Sequence, residues 1–168
     1  MDVRTFTGGP FVQNTYVVEC SDGASALLVD AGSATPQALD EIEAKGLRVE
    51  AILLTHAHLD HIDGLAEAQR RTQAPVYLHP ADRVLFDNAA SQAAMFGVPF
   101  ETPEPPDHEL VPGETLVVGG ESFDVRFAPG HAPGHVIFVS ESSPVALVGD
   151  VIFAGSIGRT DLPGGDYQ

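Results

Sequence analysis

Apolar positions along the first thirty residues recur in short alternating or continuous runs, the signature of strands. Residues 3–6, 15–20 and 25–30 read this way, and Ser21-Asp22-Gly23 supplies a turn between the last two. The period then changes. Thr35-Pro36 reads as an N-cap followed by proline at the first helical position, opening a helix through Lys45 that stops at Gly46, with Leu39 and Ile42 on its inner face. Residues 52–54 form a buried strand pattern, 62–73 a helix and 76–78 another strand. Residues 80–95 are Ala-rich and helical in character with a break near Asn88, and 99–106 is a proline-rich loop able to border a site. Four strand patterns follow at 114–118, 122–128, 135–140 and 145–150, with turns at Gly119-Gly120 and Ser142-Ser143-Pro144.

This order predicts an α/β fold: two sheets with helices outside, a four-layer αββα sandwich formed by one domain over residues 1–168. Residues 155–168 carry neither a helical nor a strand period, so the second sheet is expected to lack its outer helical cover and the chain to lack the fold's C-terminal portion.

Composition narrows the function classes. At 168 residues and 43% apolar content the chain can bury a real core. No apolar run approaches the roughly 20 residues a membrane span needs, and no apolar signal core follows Met1, so a cytoplasmic protein is expected. The single Cys20 cannot form an internal disulfide and reads as structural. A formal charge of −16 repels phosphate backbones, and the only adjacent basic pair is Arg70-Arg71, so neither nucleic acid nor membrane is an expected partner. The sequence carries no signal for oligomeric state.

The chemistry is concentrated in Thr55-His56-Ala57-His58-Leu59-Asp60-His61, where three imidazoles and a carboxylate occupy six positions. These are the donors a first-row transition metal prefers. On a helix, residues two apart project about 200° apart, so His56 and His58 converge on one ion only from an extended or turning backbone. Asp60 and His61 are then free to turn towards a second ion. The segment follows a strand, where α/β layers place ligands, and the incoming helix N-terminus is expected to hold Asp60 as an anion. His131, in the Gly- and Pro-rich loop Pro129-Gly130-His131-Ala132-Pro133-Gly134-His135, is the third ligand proposed for the first ion. Asp150 ends a buried apolar run, a costly place for a carboxylate unless it is paired or binds metal. His79 and His108 read as surface loop residues, and His135 as either support behind a ligand or plain structure.

Together, Thr55 to His61, Pro129 to His135 and Gly149-Asp150 resemble the metallo-β-lactamase superfamily. Gln13-Asn14-Thr15-Tyr16, Leu28 to Gly32 and Gly155 to Asp161 narrow the likeness to short glyoxalase II-like hydrolases. The resemblance implies His56, His58 and His131 on a first metal, Asp60 and His61 on a second, Asp150 bridging them, and Asp30 hydrogen-bonded behind a ligand. The histidine that normally completes the second site in this family has no counterpart after Asp150, so the second ion is expected to bind more weakly. Arg159 and Asp161 stand where glutathione-specific members carry Lys and Tyr.

The implied chemistry is cleavage of a small-molecule thioester or ester by a zinc-dependent hydrolase holding one or two Zn2+ ions. Metal-bound hydroxide attacks the carbonyl, with Asp60 orienting it and passing a proton. Two alternatives stand beside it. Persulfide dioxygenases share a similar pattern and use one Fe2+, which here would take His56, His131 and Asp150. The other is a non-catalytic metal-binding remnant.

Overall fold

The computed structural model describes residues 1–167. Its first sheet has six strands in sequential order: β1 (Asp2–Gly8), β2 (Gln13–Glu19), β3 (Ser25–Val29), β4 (Arg48–Leu53), β5 (Val76–Leu78) and β6 (His108–Glu109). β1 to β3 form an antiparallel meander, and β3 to β6 pair in parallel. The parallel pairs need crossovers, and the helices supply them: α1 (Thr35–Ala44), α2 (Leu59–Ile62) with α3 (Leu65–Thr72), and α4 (Arg83–Asp87) with α5 (Ala89–Phe96). The second sheet is antiparallel, β10 (Ala146–Leu147), β9 (Val136–Ser140), β8 (Glu121–Phe127) and β7 (Thr115–Val118) in that order, and β11 (Ile152–Phe153) pairs with β12 (Ser156–Ile157) as a separate hairpin.

All five residues of β3 are buried, because this strand has a covered surface on each side. Ala26 and Leu28 face a core shared with Leu39, Ile42, Ile62 and Leu65 of the helices. Leu27 and Val29 face the other way, onto Phe123, Val125, Val136 and Phe138 of the second sheet. The layers are therefore helix, sheet, sheet. No described helix follows Phe96, and Val117, on the face of the second sheet turned away from the core, is exposed.

Several boundaries differ from the sequence reading. Ala34, not Thr35, is the N-cap of α1, without a side-chain cap bond, and Thr35 is fully buried as the first helical residue. The helix expected over 62–73 starts earlier, at Leu59, and is divided at Asp63-Gly64, so Asp60 and His61 lie in the first turn of α2 instead of a loop. The strand expected over 145–150 pairs only at Ala146 and Leu147; the Val151 amide turns back to donate to the Val148 carbonyl, which puts Asp150 in a turn. The hairpin β11–β12 enters the stretch read as unpatterned, whose last residue, Gln168, lies outside the described residues. The proline-rich loop docks on α3, with Gln69 bonded to the Glu104 backbone and Arg70 paired with Glu101, instead of bordering the site. Phe100 of the loop and the adjoining Val98 pack against the helical core and anchor it there.

Candidate metal centre

β4 delivers the chain to Thr55, and the extended backbone of His58 (φ −66°, ψ 152°) fits the alternation that aims His56 and His58 at one place. The loop from β8 to β9 brings His131 alongside, so that His58 Nδ1 and His131 Nε2 are 2.8 Å apart. The ligand atoms of His56, His58 and His131 all lie within 4.8 Å of one another, and all three residues are buried. A second group of that compactness comprises His56, His61 and Asp150. Asp150 links the two groups, with Oδ1 3.3 Å from His61 Nε2 and Oδ2 3.4 Å from His131 Nε2. Asp60 belongs to neither group; its Oδ2 is 3.8 Å from His61 Nε2.

Hydrogen bonds from outside set which ring nitrogen each histidine offers. The Thr55 hydroxyl donates to Asp30 Oδ2 at 2.8 Å, so its contact with His56 Nδ1 at 3.1 Å is accepted from the ring and leaves His56 Nε2 with a lone pair. His131 Nδ1 donates to the Arg159 carbonyl at 2.8 Å, which frees its Nε2 in the same way. His61 Nδ1 lies 3.0 Å from Asp30 Oδ2, and the Thr55 amide donates to Asp30 Oδ1 at 2.7 Å. Asp30 is fully buried with φ 53°, a left-handed conformation that Asp tolerates better than most residues.

Burial and the crowd of imidazoles push His56 well below its ordinary pKa and His58 down to about 3, keeping both neutral and able to donate a lone pair. His61 goes the other way. Burial opposes its charge, but Asp30, Asp150 and Asp60 outweigh it and raise the ring to about 10. Its proton therefore stands where a cation is electrostatically favoured. Burial raises the Asp60 carboxyl, so the expected hold of the helix N-terminus on its anion is overcome; α2 is only four residues long.

Whether these residues fit a metal is tested by two atoms. His56 Nε2 and His61 Nε2 are buried without a hydrogen-bond partner, a penalty that a bound cation removes. Imidazoles with carboxylates form a donor set suited to Zn2+ or Fe2+, provided His61 gives up its proton to the incoming ion.

His135 is not among the grouped donors. Its Nε2 accepts from the Asp150 amide at 3.1 Å and its ring stacks on His56 at 4.6 Å, so it supports the site from behind. His79 caps a short 3-10 turn, accepting from the Ala81 amide at 3.3 Å, and His108 is exposed on β6. Cys20 is buried and its thiol pushed up to about 11 by that burial and by nearby carboxylates, in keeping with a structural role. Sequence reasoning missed Thr55 as the link between Asp30 and His56, and it missed Asp82. The latter is fully buried and accepts the Ala57 and Gly134 amides, partners 25 and 52 positions away that no local pattern reveals.

Beside His61 and Asp150 opens a cavity of about 300 Å3 whose exposed edge carries Phe11, Val12, Ile152 and Phe153. No Lys or Arg is among its described lining residues.

The sequence pattern of the Metallo-beta-lactamase superfamily matches residues 8–168. Hydroxyacylglutathione hydrolase GloC of Haemophilus influenzae is 34% identical over 170 residues, covering 100% of this chain and 80% of that protein. The di-iron-bound form of TTHA1623 superposes with a TM-score of 0.87 at 39% identity, over 97% of this chain and 79% of that one. BLEG-1 B3 metallo-beta-lactamase superposes with a TM-score of 0.90 at 36% identity, over 99% of this chain and 80% of that one.

Proposed function

The chain belongs to the metallo-beta-lactamase superfamily, and from that membership we propose that it is a metal-dependent hydrolase of a small-molecule thioester or ester, of glyoxalase II type. The observation that carries the reading is the convergence of His56, His58, His61, His131 and Asp150 around the unpartnered nitrogens of His56 and His61. His56, His58 and His131 would hold a first ion, Asp60 and His61 a second, and Asp150 would lie between them. Three imidazoles favour Zn2+ at the first position. When bound, such ions supply Lewis acidity and bring the pKa of water towards about 7. The di-iron form of the similar TTHA1623 supports two positions instead of one.

The protein's own groups do the remainder. Asp30 fixes the tautomer of His56 through Thr55 and orients His61 by direct contact with its Nδ1. The Asp60 carboxyl, raised by burial, suits a group that accepts a proton from water and passes it to the leaving thiolate or alkoxide. Phe11, Val12, Ile152 and Phe153 offer apolar surface to the substrate's uncharged portion.

The test is thiol release by zinc-loaded protein from S-lactoylglutathione and from a simple neutral thioester such as phenyl thioacetate. Turnover of at least one is expected, falling by about 10²-fold or more in His58→Ala and His131→Ala. Fully loaded protein that releases no thiol above the rate of free Zn2+ would overturn the hydrolase reading. Oxygen uptake with glutathione persulfide by the iron-loaded protein would put the dioxygenase in its place.

A further inference from the structure

Asp82 closes the short 3-10 turn after β5, outside both groups of ligating side chains, and it is fully buried. A buried carboxylate is costly unless it is paired or hydrogen-bonded. Among the described residues no cationic side chain pairs with Asp82; its oxygens accept two backbone amides instead. One is Ala57 N–H, at 2.8 Å from Oδ2, and Ala57 is the residue between His56 and His58. The other, on Oδ1, is Gly134 N–H, in the loop between His131 and His135. One side chain thus spans the two loops that carry the three histidines of the first group. The fit at the second loop is close: a Cβ on Gly134 would stand 2.7 Å from Asp82 Oδ1 and 2.6 Å from its amide nitrogen.

From this geometry we propose that Asp82 is a positioning residue, a clasp that fixes the spacing between the loop bearing His56 and His58 and the loop bearing His131, and so sets the affinity of the first metal position. The inference rests on the metal-centre reading above. In extended backbone the direction of two flanking side chains follows from the orientation of the peptide between them, so holding the Ala57 amide orients both His56 and His58. Holding the Gly134 amide stops the His131 loop from withdrawing. A carboxylate can do both at once because each oxygen is an acceptor, whereas an amide side chain offers one acceptor and one NH2 group. Asp82→Asn therefore leaves one backbone N–H facing another donor, with almost no change in volume.

The experiment is a Zn2+ titration against a chromophoric chelator, with circular dichroism and thermal unfolding of the metal-free proteins alongside. Asp82→Asn is expected to keep its secondary structure and lose about 10- to 100-fold in affinity at the tight position, the range typical of lost support behind metal ligands. Asp107→Asn is the control. It weakens a carboxylate bond to the Val76 amide away from the ligand loops, and its affinity should match the wild type. Affinity in Asp82→Asn within twofold of the wild type overturns the clasp alone. A wild-type chain that takes up no Zn2+ overturns the metal-centre reading and the clasp with it. If Asp82→Asn fails to fold, amide exchange in the metal-free wild type decides: slow exchange at Ala57 and Gly134 supports the clasp, and exchange at the unprotected rate overturns it.

Discussion

His135 takes the Asp150 amide on Nε2 at 3.1 Å, and burial with neighbouring positive charge depresses its pKa to about 4. In the unfolded chain an imidazole titrates near about 6.5. Below that pH the unfolded state binds a proton that the native state refuses, so the contribution of His135 is whole above about pH 6.5 and is lost as pH falls towards 4. Asp63, raised to about 6 by burial, acts in the opposite sense, so the effect of His135 shows as a difference between two proteins that share Asp63. The melting temperature of metal-free wild type should fall more between pH 6.5 and 4 than that of His135→Gln, whose side-chain oxygen can still accept the Asp150 amide. Parallel profiles would show that His135 carries no such linkage. At this scale the sequence was informative wherever ligands crowd together, as in His56 to His61, because donor type and spacing alone restrict what the loop can hold. It was silent on Asp82 and Thr55, whose roles consist of hydrogen bonds formed only when the chain folds.

Among the elements, the division of one expected helix into α2 and α3 has a specific cause. The Gly64 amide donates to the Ala31 carbonyl at 2.9 Å, and a Cβ on Gly64 would stand 2.6 Å from Thr35 Oγ1 and closer still to the Gly32 carbonyl oxygen. The chain after β3 and the α2–α3 junction therefore pack backbone to backbone, which places His61 against Asp30. Gly64→Ala is predicted to lose about 1–3 kcal/mol of stability by overpacking, measured by urea unfolding; a loss below about 0.5 kcal/mol would contradict the close approach. The apolar period at Leu65 and Ala68 revealed a helix there, but the break was hidden because it depends on Gly32, 32 positions earlier. Strand positions were legible for a similar reason of burial. β3 reads as continuously apolar because it is covered on both faces, whereas β10 is short because its pairing ends at Leu147 in a turn that hydropathy does not register.

For the molecule as a whole, the meander, the βα alternation and the final antiparallel strands could be read from periodicity, and they dictate two sheets with helices on one outer face. That arrangement brings β4, α2, the β8–β9 loop and the turn after β10 to one place, so residues 56 and 150 become neighbours of the same imidazole, His61. The chain carries a formal charge of −16, and carboxylates at Asp30, Asp60 and Asp150 gather where divalent ions would offset them. The most direct measurement is anomalous X-ray scattering at the zinc edge from crystals of protein given Zn2+. A peak enclosed by His56, His58 and His131, with a second peak beside His61 and Asp150, is the result predicted here; an empty pocket, or zinc bound only at other surface groups, would contradict it.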